Sequence, residues 1–191
     1  MTSPQTAWRD TADALVVGTP FVDMVFGGLS DWPAPGEEQW AERRTLCAGG
    51  VANNATVLSR LGRRTTLAGV IGTDEIGDLL LTLLRREESL RLDRLVRRPG
   101  FVTPFTLALG DGNDRSFLTQ GDHSAHQVDG EPPRARSCFL SLSLEPAAWL
   151  PGLREAGCRV FAGVGFDERL GWDSAVLAQL DQVDVLVCNE R

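Results

Sequence analysis

The residues placed for chemistry in this chain are carboxylates and carboxamides, not histidines or cysteines. Asp23 follows the apolar run Ala14-Leu15-Val16-Val17-Gly18, and Gly49-Gly50 lead into Asn53 and Asn54. Asp74 and Glu145 follow two later apolar runs, and Asn189-Glu190 follow the last. A carboxylate accepts hydrogen bonds from two vicinal hydroxyls, and a carboxamide both donates and accepts, so the set suits a ligand rich in hydroxyl groups. Gly49-Gly50 removes side chains where a ligand could touch the backbone and a helix N-terminus. It is neither the Gly-x-Gly-x-x-Gly of a dinucleotide fold nor followed by the Gly-Lys-Ser/Thr of a phosphate loop. His123 and His126 are spaced i, i+3, but no Glu follows in metalloprotease spacing, so they read as a polar loop and no metal site is expected. Each residue also has a bland reading. Asp23 could be a turn acid, Gly49-Gly50 the tight entry to a helix, Asn53 and Asn54 first-turn hydrogen-bonding residues, and Glu145 the residue before a helix-opening Pro146.

The elements that must position these residues can be traced along the chain. Ala14 to Gly18 reads as a buried strand, followed by a loop-rich stretch through Pro33, Pro35 and Gly36. Glu37 to Leu46 could return as an exposed strand. Val51, Ala55, Leu58 and Leu61 recur at helical spacing, so a helix opens after Gly49-Gly50 and closes at Gly62. Thr66 to Ile71 is a second strand. Asp74 can cap a helix from about Glu75 to Glu87. Phe105 to Leu109 and Arg115 to Thr119 flank a Gly/Asn/Asp turn and predict a hairpin. The remainder alternates: strand Cys138–Leu144, a helix from Pro146 to near Gly157, strand Arg159–Val164, helix Ser174–Leu180, strand Val183–Cys188. Strand–helix alternation predicts a parallel α/β sheet with right-handed crossovers, in which ligands bind beyond the carboxyl ends of the strands. The hairpin and the segment after strand one fall outside that alternation and read as a small antiparallel appendage.

Composition agrees with one globular domain: 191 residues, 42% hydrophobic and 24% charged. A net charge of −7 argues against general nucleic-acid or anionic-membrane binding. All 19 basic residues are arginine, so no lysine chemistry is available. Cys47, Cys138, Cys158 and Cys188 form no Cys-x-x-Cys pair and read as free thiols. Acidic Asp10 and Asp13 and the lack of an apolar core near Met1 argue against a signal peptide. No apolar run is long enough to span a membrane. A cytoplasmic location is expected.

The ordered set Asp23, Gly49-Gly50, Asn53, Ala55, Gly62, then Gly72-x-Asp74-x-x-Gly77, resembles the N-terminal half of the ribokinase/PfkB family of carbohydrate kinases. Leu142-Ser143-Leu144-Glu145-Pro146 resembles the family's strand-end Glu, and Val183 to Glu190 the strand leading to its Asn-x-x-Glu motif. Asn53 and Asn54 compete for the family Asn, and Asn53 fits the distance to Gly62. The resemblance implies a ribokinase-like three-layer α/β/α fold with a mostly parallel sheet and a small antiparallel β lid. Residues 1–191 would be the N-terminal part of that domain, with lid segments at about 22–46 and 96–118 and a possible homodimer through the lid. It further implies that Asp23, Gly49, Gly50, Asn53 and Glu145 bind or border a sugar. Asn189 would fall in the nucleotide and magnesium region. ATP with Mg2+ would donate phosphate to the sugar hydroxyl, and the catalytic base would be the Asp of a Gly-Ala-Gly-Asp motif. That motif does not occur within these residues, so the chain is expected to lack the C-terminal nucleotide-binding part and not to transfer phosphate alone. A nucleoside kinase of the same family, or an inactive sugar-binding or dimerising fragment, are the alternatives. Two positions depart from the pattern. Phe21 stands where many ribose-type members have Asn, and Val51 stands where Gly, Ala or Pro is usual.

Overall fold

Apolar runs with no polar face can only be central strands, and β1 (Ala12–Val17) shows this most plainly: Leu15, Val16 and Val17 are wholly buried. The computed structural model describes residues 11–29, 33–110, 115–123, 132–143, 147–164 and 174–188. β1 pairs in parallel with β4 (Thr65–Gly72) on one side and β8 (Ala135–Ser141) on the other. β5 (Leu90–Arg98) extends the sheet beyond β4, and β9 (Arg159–Gly163) and β10 (Val185–Val187) extend it beyond β8. All five pairings in this six-stranded sheet are parallel. The chain winds outward from β1 to β4 and β5, then back past it through β8, β9 and β10. The winding therefore reverses between β1 and β8, and the crevice beyond their carboxyl ends is where such a fold binds ligands.

Helices cover both faces. On one, Val51, Ala52 and Ala55 of α1 (Val51–Arg60) and Leu80 and Leu84 of α2 (Glu75–Leu84) pack with Val16, Leu67 and Ile71. On the other, Leu150 and Leu153 of α3 (Leu150–Glu155) pack with Leu15, Val17, Leu140 and Val160. α4 (Ser174–Ala178) runs into a single 3-10 turn, Gln179–Gln182. The result is a three-layer α/β/α sandwich. α1 ends as the sequence predicts, with the Arg63 amide donating back to the Leu58 carbonyl at 3.0 Å across Gly62.

A second, four-stranded sheet has the order β3-β2-β6-β7. β2 (Pro20–Gly27) pairs antiparallel with β3 (Arg43–Gly50), and the hairpin β6 (Phe105–Gly110) and β7 (Arg115–Gln120) is antiparallel. The central β2–β6 pairing is parallel, because the two strands enter from the same end of the large sheet. Val22, Leu46, Ala48 and Phe105 turn one face of this sheet onto the α1/α2 core. The other face carries Asp23.

Several boundaries differ from the sequence reading. The small sheet begins at Pro20, two residues before the expected Val22; proline is tolerated at a strand's first residue, where its missing N–H costs least. The return strand begins later than Glu37, at Arg43. β8 ends at Ser141, and α3 starts at Leu150 and not at Pro146. Val96 to Arg98 belong to β5 of the large sheet, so the segment expected to begin the lid at Val96 begins it only after that strand.

One knot ties the two sheets together. Asp74 caps α2 by accepting from the Gly77 amide at 2.8 Å, and also accepts from the Thr103 amide at 2.8 Å and hydroxyl at 2.7 Å. The Gly72 amide donates to the same Thr103 hydroxyl oxygen at 2.8 Å. The loop that starts β6 is thereby fastened to the end of β4. Burial pushes the Asp74 carboxyl up, but the hydrogen bonds from Thr103 and Gly77 outweigh it and hold it below its ordinary value. A lowered native pKa contributes stability that is full above the unfolded value, about 3.9, and lost as pH falls through the native one. Asp74→Asn is therefore expected to destabilise the protein by about 1 kcal/mol at neutral pH. The difference should shrink toward zero in urea unfolding as pH falls below that carboxylate range.

Candidate functional site

The two strands that carry Asp23 and Gly49 are neighbours, and their register decides the site. Phe21 pairs with Gly49 and Asp23 with Cys47 across β2 and β3, while Asp23 pairs with Thr106 across β2 and β6. Phe21, Asp23, Cys47 and Thr106 therefore share the outward face of the small sheet, just beyond the carboxyl end of β1. The Asp23 carboxylate lies directly over Gly49, and a Cβ built there would overlap all three of its carboxyl atoms. Gly49 is thus required by the side chain beside it and not by its own backbone.

Gly50 is required by its backbone. Its φ is 58° and ψ −137°, and a Cβ would stand 2.5 Å from the Thr19 carbonyl oxygen and 3.1 Å from the Phe21 ring. This residue turns β3 directly into α1. The Val51 amide donates to the Thr19 carbonyl at 3.4 Å, and the first turn of α1 contains no acidic residue and no side-chain cap, so no side chain of its own neutralises the positive dipole end of this helix. Asn53, the third residue of the helix, is exposed, and Asn54 beside it is half-buried.

Asp23 is half-buried, and among the described residues it forms no ion pair. Burial pushes its carboxyl up, partly offset by a hydrogen bond from the Thr106 hydroxyl. Cys47, opposite it, is pushed up in turn by burial and then by the Asp23 charge, so this thiol is a poor nucleophile. A carboxylate held in this way can accept protons from neutral hydroxyl donors. Among the described residues no ion-pair partner competes with them.

The structure thus brings Asp23, Gly49 and Gly50 together and sets Asn53 in the helix turn that starts there. Glu145 and Asn189 lie outside the described residues. Sequence reasoning missed three neighbours. Thr106 and Thr119 bond to each other at 3.0 Å; counting outward from the hairpin turn could have paired them. His123, read as loop, packs its ring edge-on to Phe21 with centroids 5.9 Å apart at 89°, and no sequence spacing signals that contact.

Residues 14–144, which include this whole cluster, match the pfkB family carbohydrate kinases. The chain belongs to that family. Its structure is similar to those of kinases of ribokinase-like fold. The Arabidopsis thaliana ribokinase complexed with ribose and ATP superposes with a TM-score of 0.68 at 21% identity, covering 94% of this chain and 61% of that one. The Halothermothrix orenii fructokinase gives 0.70 at 21% identity, covering 91% and 66%. In sequence, 82 residues are 38% identical to the bifunctional protein HldE of Caulobacter sp. (strain K31), spanning 41% of this chain and 17% of that protein. The chain therefore spans about three fifths of the solved kinases it matches and a much smaller share of the curated relative. The three-layer core and the small separate sheet expected from the sequence are the ribokinase-like fold.

Two stability measurements test this arrangement without any ligand. Gly49→Ala is expected to cost on the order of 1–3 kcal/mol by overpacking, and most of that cost should vanish in an Asp23→Ala background. Equal costs in both backgrounds would mean that the carboxylate does not rest on Gly49. Asp23→Asn is expected to raise the melting temperature at neutral pH. A native pKa raised by burial makes the carboxylate costly once pH exceeds that value, so the gain should disappear as pH falls below the ordinary carboxylate range.

Proposed function

We propose that this chain supplies the sugar-binding part of a kinase that moves the γ-phosphate of ATP to a sugar hydroxyl. The observation that carries this reading is the Asp23 carboxylate. It is half-buried, held over a glycine, without an ion-pair partner among the described residues, and placed beyond the carboxyl end of the central strand. Uncovering a charged group this way costs stability, and a site that receives hydroxyl donors recovers it. Asp23 would accept from two sugar hydroxyls. Gly49 and Gly50 would let the sugar ring approach the backbone, and Asn53 and Glu145 would bond further hydroxyls. The solved relatives include a ribokinase with ribose and ATP, which supports a sugar and a nucleotide as substrates here.

ATP and magnesium enter this proposal through the family. Among the described residues no group of three or more His, Cys, Asp or Glu could hold a metal ion, and Asn189, the candidate for that region, lies outside them. The described side chains thus serve the sugar half of the reaction: they bind the hydroxyls and fix the ring while the transferring group is positioned elsewhere. The exposed outer strand β7, with Phe117 63% and Leu118 72% exposed, supports a second copy of the chain covering the small sheet.

Phe21 favours one second reading. Backed by Gly50 and His123, it makes an apolar wall beside Asp23 where an amide would have offered hydrogen bonds. A nucleoside, with a ribose for Asp23 and the flat aromatic face of a base for Phe21, fits that wall.

Thermal-shift binding across a panel of sugars and nucleosides separates these readings, since a ligand of the native state raises its melting temperature by mass action. Asp23→Ala should weaken binding of the compound that scores by about ten-fold or more, the loss expected for hydrogen bonds to a charged group. Unchanged affinity and unchanged phosphate transfer in that variant would remove Asp23 from the site.

A further inference from the structure

Asp23 supplies only half of what a hydroxyl ligand needs. An ionised carboxylate accepts hydrogen bonds and gives none, whereas each ligand hydroxyl has lone pairs to fill as well as a proton to give. The side chains beside Asp23 on the outward face are poor donors. Phe21 has no polar atom, the Cys47 thiol is a weak donor, and the Thr106 and Thr119 hydroxyls bond each other at 3.0 Å. A stronger donor reaches this face from outside the row. The His123 imidazole meets the Phe21 ring at 89° with centroids 5.9 Å apart. Phe21 precedes Asp23 by two residues, so the two side chains share one face about 7 Å apart along the strand.

The backbone that carries His123 is fastened at two points. The Asp122 amide donates to the Val102 carbonyl at 2.8 Å, and the Asp122 carboxylate accepts from the Val102 amide at 2.8 Å. Val102 adjoins Thr103, which Asp74 ties to the end of β4. Gly121, with φ 144°, lies so close to Pro104 that a Cβ would stand 2.4 Å from the proline Cα. His123 itself is exposed, and among the described residues its ring nitrogens have no hydrogen-bond partner. We propose that His123 is a specificity-determining residue of the sugar site, donating a hydrogen bond to a substrate hydroxyl beside Phe21 while Asp23 accepts from others. An imidazole has an N–H to give in either of its protonation states, so it supplies what the carboxylate lacks. This role rests on the sugar-binding reading of Asp23.

The test is thermal-shift binding of ribose and of fructose to the whole chain and to variants at position 123. His123→Phe keeps a ring against Phe21 and removes the donor; His123→Gln keeps a donor and removes the ring. For a sugar that binds, His123→Phe and His123→Ala should weaken affinity about three- to ten-fold, the loss of one net hydrogen bond, and His123→Gln should stay within about two-fold of wild type. A residue that only packs against Phe21 gives the reverse order, with Phe tolerated and Gln not, and that result overturns the proposal. Equal losses in all three variants, or none in any, overturn it as well. Should His123→Ala fail to fold, the Phe and Gln variants decide the matter by themselves. Asp23→Ala separates the two claims. If it weakens binding while the His123 variants do not, the role of His123 fails and the sugar reading stands. If it leaves affinity unchanged, or if neither sugar raises the melting temperature of the wild type, the sugar reading fails and the role of His123 with it.

Discussion

Residues 12 to 27 are a single run of chain shared between two sheets, and the rest of the molecule is arranged around that constraint. β1 is paired on both sides, to β4 and β8, and β2 is paired on both sides, to β3 and β6. Only Gly18 and Thr19 separate them, and each is itself tied: the Gly18 amide to the Ala68 carbonyl at 3.2 Å, the Thr19 carbonyl to the Val51 amide at 3.4 Å. A side chain on the outer face of β2 is thus held at a set offset from the carboxyl end of the central strand. Rigid elements make more exact sites than loops do. The small sheet cannot drift freely from the core, because the Asp74–Thr103 knot fastens its second entry point, the start of β6, to the end of β4.

Against that scaffold Asp23 stands out by what it lacks. Five arginines form ion pairs with carboxylates among the described residues, at Glu87, Asp13, Asp93, Asp78 and Asp184. These pairs are largely exposed and contribute little to stability. Asp23, whose carboxyl burial pushes up, pairs with no arginine among the described residues. A fold optimised for stability alone would place an amide or an apolar residue there; a departure of that kind is what a functional position looks like. The neighbouring glycine follows from the same requirement, since any side chain at Gly49 would displace the acid.

How much of this was legible beforehand depended on how local each signal is. β1, β4, α1 and α2 were readable because their apolar spacing repeats within one element, and Asp74 was readable as a cap because it precedes its helix. β5 was missed: Leu90, Leu92 and Leu95 are interleaved with Arg91, Asp93 and Arg94, which suits a sheet edge but weakens an apolar pattern. β2 was expected only as an unbounded part of the small sheet, since a proline begins it and an acid sits in its middle. Both are compatible with a strand only once the partners on each side are known. The order Asp23, Gly49-Gly50, Asn53 was visible as a family pattern, yet nothing in that order said that Gly49 exists to make room for Asp23.

Sequence by itself determined the alternation of strands and helices, the cap at Asp74, the turn of the β6–β7 hairpin and the family to which the motif order belongs. All of these depend on residues within a few positions of one another or on their order along the chain. The tertiary structure alone decided which residues surround Asp23. Cys47 and Thr106 are brought to it by registers between strands distant in sequence, Thr119 by the hairpin's return, and His123 by the fold of the chain after β7. Register is set by the packing of Val22, Leu46, Ala48 and Phe105 on the core, and a slip of one residue would turn Asp23 inward. The burial of the acid and its lack of an ion-pair partner among the described residues follow from that packing, and no local reading of the chain contains them.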